Sequence, residues 1–442
     1  MIVKKAYNIR LYPTKGQANF INKTIGGCKF AYNLCLKSKQ DLWKYYHDDY
    51  EPKMALLSQE YDELKEIDSQ GLANTYMDLK KAYSNWFNSL KGRTKQNSKA
   101  PKFKDLKAHS GSYRNAMIKK DINKLVVDDS IFIPCCKLVR FKGSIDKENI
   151  RKIWNITVKR TNSNKYFCSI CCDVEVTEYE HTGNCIGIDL GIKDLVICSD
   201  GTKFSNPKYQ YKAEKRLKKL QKDFSKKKKG SKNKEKSRLK LAIGYEKLAN
   251  KRNDYLHKVT NKLIKDNDVI CIENLNVKGM TKNHKLAKAI QDASFGTLVS
   301  MLKYKAICHN RQIIEVGRYY PSSKLCNCCG HRMNYMGLEV RSWTCPNCGT
   351  QHDRDINAAK NILNEGLRLL DSVGQELPNV KPVENSTMDE RSLSLKSSSS
   401  MKQENHPSLV GDLFIKNCIK YFEAIKLVAK YKEMMKIELD SM

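Results

Sequence analysis

The 442-residue sequence contains no hydrophobic run that approaches the roughly eighteen residues of a membrane-spanning helix. Its opening residues, Met-Ile-Val-Lys-Lys-Ala-Tyr, also lack the apolar stretch of a secretory signal peptide. Together these absences predict a cytoplasmic protein with no membrane partner. Because the chain is long and 40% of its residues are hydrophobic, we expect about two to four domains.

Acidic residues are scarce relative to basic ones. The chain has 48 Asp and Glu against 81 Lys and Arg, which gives a formal net charge of +33. Such an excess indicates a large polyanionic partner, and nucleic acid fits better than a membrane surface. Residues 211–240 alone hold fifteen basic and three acidic residues, with apolar residues still at helical spacing. This segment is either a solvated helical face or a ridge that contacts phosphates.

Disulfide bonds are not expected, although the chain has 17 cysteines. The number is odd, the chain is long and no export signal precedes it, so most of these residues should be reduced thiols.

Three acidic residues occupy positions that call for a cation. Asp189 stands in the apolar segment Ile-Gly-Ile-Asp-Leu-Gly, and Glu273 directly follows Val-Ile-Cys-Ile. An uncompensated carboxylate in such a strand costs several kcal/mol. Asp355 precedes a segment with helical spacing. Taken by itself, it could be a helix N-cap with no further role. Taken together, the three could form an all-oxygen site for Mg²⁺ or Mn²⁺, and with the basic composition this predicts a nuclease that hydrolyses phosphodiesters.

A second metal site is predicted by two Cys-x-x-Cys pairs separated by fifteen residues. Its ligands would be Cys326, Cys329, Cys345 and Cys348. Four thiolates complete a tetrahedron and leave no open position, so a zinc ion bound here would be structural. Cys328 and His331 are alternatives in the first pair, but the paired spacing and the following Gly330 and Gly349 favour Cys329.

Five segments of the chain resemble the successive motifs of the TnpB family, the transposon-encoded RNA-guided DNA nucleases ancestral to type V CRISPR effectors. The resemblance covers about residues 1–370. The segments are Leu11-Tyr-Pro-Thr14, Ile188-Asp-Leu-Gly191, Ile272-Glu-Asn-Leu-Asn-Val-Lys-Gly-Met280, Arg318-Tyr-Tyr-Pro-Ser-Ser-Lys-Leu-Cys326 and His352-Asp-Arg-Asp-Ile-Asn-Ala-Ala359.

The resemblance implies a multidomain α+β protein. Its core would be a split RuvC-type, RNase H-like nuclease domain in which Asp189, Glu273 and Asp355 are the metal-binding catalytic acids. The implied organisation is a wedge-like β-barrel at 1–14 and 110–182, a helical recognition insert at 15–109, the nuclease domain at 183–318 and 351–370, a zinc ribbon that contacts the target nucleic acid at 319–350, a polar linker at 371–410 and a C-terminal helix of unassigned role at 411–442.

The resemblance also implies the partners. Such a protein would bind a structured guide RNA, recognise a short motif beside its double-stranded DNA target and cut the DNA, with sequence choice left to base pairing. We expect a monomer in the bacterial cytoplasm that acts at the nucleoid.

Three alternatives stay open at this stage. A miniature type V CRISPR effector shares these motifs, and a CRISPR array or transposon ends beside the gene would separate the two. A nuclease-dead, RNA-guided repressor is disfavoured because all three acids are present. A strand-transferring transposase also uses an RNase H-like fold, but the motifs resemble the guided nucleases more closely.

Overall fold

The computed structural model describes residues 1–46, 57, 59–94, 97–176, 178–337 and 339–372. Within these ranges, no helix is long and apolar enough to cross a membrane. The predicted C-terminal helix at 411–442 lies outside the described residues, as does all but the start of the predicted linker.

The first part of the chain forms a seven-stranded sheet in which all neighbouring strands are antiparallel. The strand order is β2-β6-β7-β1-β5-β4-β3, and every strand contributes side chains to one hydrophobic core. The strands are β1 (Ile2–Tyr12), β2 (Gly111–Asn115), β3 (Val126–Val127), β4 (Ser130–Ile133), β5 (Lys137–Lys142), β6 (Ile150–Arg160) and β7 (Tyr166–Glu175).

Strand β1 lies in the middle of this sheet. It pairs with β7 from Ile2↔Glu175 to Leu11↔Tyr166, and its C-terminal end also pairs with β5. Its side chains alternate, with Tyr7, Ile9 and Leu11 buried in the core, as a half-buried antiparallel strand requires. The first twelve residues therefore complete a sheet whose other strands begin about a hundred residues later.

Residues 15–90 are mainly helical where described. The described residues from 91 to 110, which the predicted helical insert included up to 109, form turns and loop instead. The helices are α1 (Lys15–Tyr46), α2 (Asp62–Lys65) and α3 (Ser69–Leu90), and a short α4 (Ile122–Leu125) follows β2. Helix α1 inserts Ile21 and Ile25 into the core of the sheet. Buried Asp68 caps α3 by accepting the Gly71 N–H at 2.7 Å, and it also accepts the Asn115 side-chain amide at 2.7 Å. One carboxylate thus links the helical region to β2.

The second part of the chain is a mixed α/β unit with a five-stranded sheet. Its order is β10-β9-β8-β11-β12; β8, β11 and β12 are parallel, and β9 is antiparallel to both of its neighbours, β8 and β10. The strands are β8 (Cys185–Asp189), β9 (Asp194–Cys198), β10 (Lys203–Ser205), β11 (Val269–Glu273) and β12 (Gln312–Val316). The helices are α5 (Tyr209–Ser225), α6 (Lys232–Asp266), α7 (Val277–Met280), α8 (His284–Ala293), α9 (Phe295–Cys308) and α10 (Arg354–Ser372). Between β12 and α10 lie a 3-10 turn, Ser322–Lys324, and a hairpin of β13 (Ser342–Thr344) and β14 (Gln351–Asp353).

Helices cover both faces of the five-stranded sheet, which explains why its central strands are apolar runs without alternation. Ile270 and Ile272 of β11 pack in a core that includes residues of α6 and α9, whereas Val269 and Cys271 pack with Ile362 of α10. Because the strand residues are covered on both faces, a polar side chain can contact solvent or a ligand only at the end of such a strand.

The segment that enters β8 is fixed by a buried ion pair. Asp268 and Arg311 lie 2.5 Å apart, and both side chains are at most 2% exposed. Asp268 also accepts the backbone N–H groups of Thr182 and Gly183. This carboxylate therefore anchors the chain between the two sheets at the start of β8.

The lysine-rich segment predicted at 211–240 forms the end of α5, a connecting loop and the start of α6. Ser231 caps α6 by accepting the Lys234 N–H at 3.1 Å. The four lysines of the loop, residues 226–229, are exposed. The predicted helical spacing is confirmed, and the basic side chains extend along two antiparallel helices.

Candidate metal centres

Two of the three predicted acids lie at the same edge of the five-stranded sheet. Strands β8 and β11 are parallel, with Ile188 opposite Ile272. Asp189 and Glu273 are the next residues along their strands, so the two carboxylates emerge side by side. The sequence indicated strand ends with acids, and the parallel register is what brings them together.

The third acid, Asp355, is placed by the close approach of α10 to β8. A Cβ atom on Gly187 would lie 2.1 Å from the Ala359 carbonyl oxygen and 2.7 Å from the Leu363 nitrogen. Only glycine leaves room for the helix backbone at this point. Asp355 stands one turn before Ala359, so this contact holds the N-terminal turn of α10 near the carboxyl end of β8.

Electrostatics shows that the three acids share one region. The pKa of Asp189 is raised to about 7, first by burial and then by the negative charges of Glu273 and Asp355, while Arg354 partly opposes the shift. Burying one carboxylate beside two others is unfavourable without a cation. The arrangement thus has the charge and the donor atoms that a hard divalent ion requires.

The alternative interpretation of Asp355 as a helix cap is wrong, because its neighbour has that role. Asp353 Oδ1 accepts the backbone N–H groups of Asp355 and Ile356, both at 3.0 Å, and Asp353 Oδ2 lies 2.8 Å from Lys203 Nζ. The Asp355 carboxylate does not cap the helix, and its Oδ2 lies 3.6 Å from a guanidinium nitrogen of Arg341. The sequence did not show that, in this Asp-Arg-Asp segment, Asp353 caps the helix and Asp355 does not.

Glu273 has a hydrogen-bond partner that the sequence did not reveal. Ser322 donates its hydroxyl to Glu273 Oε1 at 2.5 Å. The bond fixes one carboxylate oxygen and leaves the other available. Although Arg318–Cys326 was one of the recognised motifs, nothing in its pattern identified this serine as a partner of the acid.

The four predicted cysteines come together at the loops that flank β13. All four Sγ atoms lie within 4.8 Å of one another, with Cys326 to Cys348 and Cys329 to Cys345 both at 3.6 Å. A tetrahedron with metal–sulfur bonds of about 2.3 Å has edges of about 3.8 Å, so the set fits zinc. Cys328, the alternative ligand, is exposed and stands outside this group.

Polar side chains surround these sulfur atoms. His352 Nε2 lies 3.0 Å from Cys326 Sγ, Asn347 donates to Cys329 Sγ at 3.5 Å, and Thr350 Oγ1 lies 3.3 Å from Cys348 Sγ. Such groups orient metal-bound thiolates. In the described part of the chain, these cysteines are the one set of three or more His, Cys, Asp or Glu side chains compact enough for a single ion. Asp189, Glu273 and Asp355 do not form such a compact set.

The sequence matches three family models and is similar to named proteins. Residues 169–284 match the family model described as "Probable transposase" of the OrfB/IS605 type, residues 295–362 match "Cas12f1-like, TNB domain", and residues 1–47 match "Helix-turn-helix domain". In the structure, this last segment is strand β1 followed by α1. A Streptomyces pristinaespiralis protein named "Putative RNA-guided DNA endonuclease" is 34% identical over 374 residues, which is 83% of this chain and 90% of that protein. The chain belongs to the TnpB family.

Other similarities agree with membership in the TnpB family. The Escherichia coli K12 protein named "Putative RNA-guided DNA endonuclease InsQ" is 28% identical over 404 residues, covering 86% of this chain and 96% of that protein. Among solved structures, the Cas12f1 chain of a complex with guide RNA and target DNA aligns with a TM-score of 0.52 at 13% identity, covering 82% of this chain and 99% of that one. At this identity the likeness shows the fold: this TnpB family member shares the mixed α/β fold of that effector.

Proposed function

We propose that this protein is an RNA-guided DNA endonuclease that hydrolyses phosphodiester bonds at Asp189, Glu273 and Asp355 with the help of Mg²⁺ or Mn²⁺. The observation that carries this proposal is the partly buried Asp189 carboxylate beside two further acids at one edge of a mixed sheet. When bound, the ions would activate a water molecule and stabilise the leaving oxygen. The split domain at 183–318 and 351–370 would then be a RuvC-type nuclease.

The roles of the three acids follow from their positions. Asp189 and Glu273 hold their carboxylates at a rigid sheet edge, and Asp355 adds a third from the first turn of α10. Because Asp353 satisfies the N–H groups at that helix end, Asp355 can turn toward the ions. The Arg341 guanidinium, which lies 3.6 Å from Asp355, would receive a phosphate group beside the acids.

Nucleic-acid binding is supported by the charge of the surface. The exposed lysines of α5, α6 and their loop would contact backbone phosphates, and this binding should weaken steeply with salt. Tyr319 and Tyr335, which are 91% and 80% exposed, are suited to stack on unpaired bases. We propose a guide RNA and double-stranded target DNA as partners of a monomeric protein acting at the bacterial nucleoid.

The cysteine group would hold a structural zinc ion in a ribbon at 319–350. The four thiolates leave no position for a substrate, so its role is to shape the segment between Glu273 and Asp355. The seven-stranded sheet and the helices at 15–90 would form the wedge-like domain and its recognition insert.

The test is cleavage by a matched pair of variants. Asp189→Asn should abolish cutting of a guide-matched DNA while the copurified RNA stays bound, because only the metal-binding charge is removed. Asp223→Asn, an exposed acid on α5, is the control and should cut like the parent protein. Full cutting by the Asp189 variant would contradict the assignment.

A miniature type V CRISPR effector is the second candidate, favoured by the fold shared with the Cas12f1 chain. Sequencing the RNA that copurifies with the protein separates the two. A transcript from transposon ends supports the first candidate and a repeat-containing CRISPR RNA the second, whereas no discrete RNA would overturn both.

A further inference from the structure

The Ser322 hydroxyl is built into the scaffold of the acid cluster. The 3-10 turn that carries it follows β12, whose Val316 pairs with Glu273 on β11. The serine is only 7% exposed, and its Oγ donates to Glu273 Oε1. A hydrogen bond from a buried hydroxyl restricts the rotamers of the carboxylate, so the serine sets where the second oxygen points.

The backbone of Ser322 is in turn held by helix α10. Asn361, which is 2% exposed, donates its side-chain amide to the Ser322 carbonyl at 2.8 Å and to the Leu325 carbonyl at 2.6 Å. One turn earlier on the same helix face, Asn357 donates to the Leu325 carbonyl at 2.7 Å and accepts the Asn327 N–H at 3.0 Å. We call Asn357 and Asn361 the asparagine bridge.

The asparagine bridge joins the two metal centres. Leu325 and Asn327 flank Cys326, one of the four thiolates, while Ser322 contacts Glu273 and α10 begins with Asp355. Buried amides are costly to leave unpaired, so the bridge fixes these segments against one another. A shift of the first cysteine pair would therefore be passed to Ser322.

We propose that Ser322 is a positioning residue for Glu273, and that the asparagine bridge makes its position depend on an intact zinc site. The proposal rests on the proposed function in that it takes Glu273 as a ligand of the divalent ions. It assigns to the cysteine group an effect on the acid cluster in addition to any contact with nucleic acid.

The first experiment measures Mn²⁺ binding by calorimetry on the purified protein with its bound RNA. Ser322→Ala should weaken Mn²⁺ binding by about 10-fold or more, the usual effect of losing a partner that orients a metal ligand. Ser322→Thr keeps a hydroxyl and should recover most of the affinity. Ser323→Ala, at the neighbouring position, is the matched control and should bind Mn²⁺ like the parent. Equal affinities for the two alanine variants would overturn the positioning role.

A second experiment tests the link to zinc with a double-mutant cycle. Cys345→Ser removes a thiolate, and Asn361→Ala removes the bridge. Each single variant should bind Mn²⁺ more weakly than the parent. The double variant should bind Mn²⁺ no more weakly than whichever single variant has the lower affinity. Asn361→Ala should keep its zinc by elemental analysis and its melting temperature within a few degrees. Additive losses, or a loss of zinc from Asn361→Ala that accounts for its Mn²⁺ defect, would overturn the link.

Failure of this inference and failure of the proposed function give different results. If the parent protein cuts DNA and Ser322→Ala binds Mn²⁺ normally, only the positioning role is wrong. If Mn²⁺ binding depends on Ser322 but the parent protein cuts no guided target, the nuclease proposal fails and the positioning role stands.

Discussion

Replacement of Gly187 by alanine should separate the contribution of backbone packing from that of the acids themselves. The new Cβ would lie 2.1 Å from the Ala359 carbonyl oxygen and 2.7 Å from the Leu363 nitrogen. Both atoms belong to the backbone of α10, which cannot move out of the way as a flexible side chain could. Relief to an ordinary contact of about 3.4 Å requires α10 to move away from β8 by about 1 Å.

The sizes of the expected losses follow from the two functions of the contact between Gly187 and α10: it stabilises the fold, and it positions Asp355. Overpacking a tight interface costs about 1–3 kcal/mol, which corresponds to roughly 2–4 °C of melting temperature per kcal/mol for a domain of this size. The same movement displaces Asp355 relative to Asp189, and a misplacement of about 1 Å can lower a reaction rate by about 100-fold. We therefore expect a modest loss of stability with a much larger loss of cleavage.

The assay combines thermal unfolding, Mn²⁺ binding and cleavage of a guide-matched DNA. Gly296→Ala on α9 is the control, because a Cβ there meets nothing within 4 Å, so stability and cleavage should be maintained. If Gly187→Ala unfolds at the parent temperature and cuts within about twofold of the parent rate, then α10 does not depend on this close approach and the reasoning is refuted.

Two further predictions concern other parts of the chain. Cys345→Ser should lose the zinc ion, whereas Cys328→Ser should retain it; elemental analysis of both checks the ligand set, and zinc loss from only the second variant would contradict it. Burial lowers the pKa of Lys305 to about 8, so the folded state binds fewer protons than the unfolded state between pH 8 and 10 and stability should rise with pH there. Urea unfolding should show that Lys305→Met lacks this rise; an identical pH dependence in both proteins would contradict it.

The sequence predicted those features that depend on local pattern. An acid that ends an apolar run indicated Asp189 and Glu273, and the cysteine spacing identified four residues that the fold does bring together. The grouping of the three acids as catalytic residues stays a prediction for the variants above to test.

Other features could not be predicted because they depend on tertiary contacts. Ser322, Asn357 and Asn361 are ordinary polar residues in the sequence, and only the packing of α10 on the sheet makes them partners of distant carbonyls and of Glu273. The capping role of Asp353 was missed because two acids stand within the same three residues, and spacing does not show which one turns back to the helix.

The central position of β1 has a consequence for synthesis of the chain. The strand leaves the ribosome well before its partner β7, which ends only at Glu175. At about 5–20 residues per second, roughly 10–30 s of elongation separate the two strands. During this interval the apolar side of β1 has no sheet to join, whereas α1 and α3 can already pack. The N-terminal half is thus a fold that completes late.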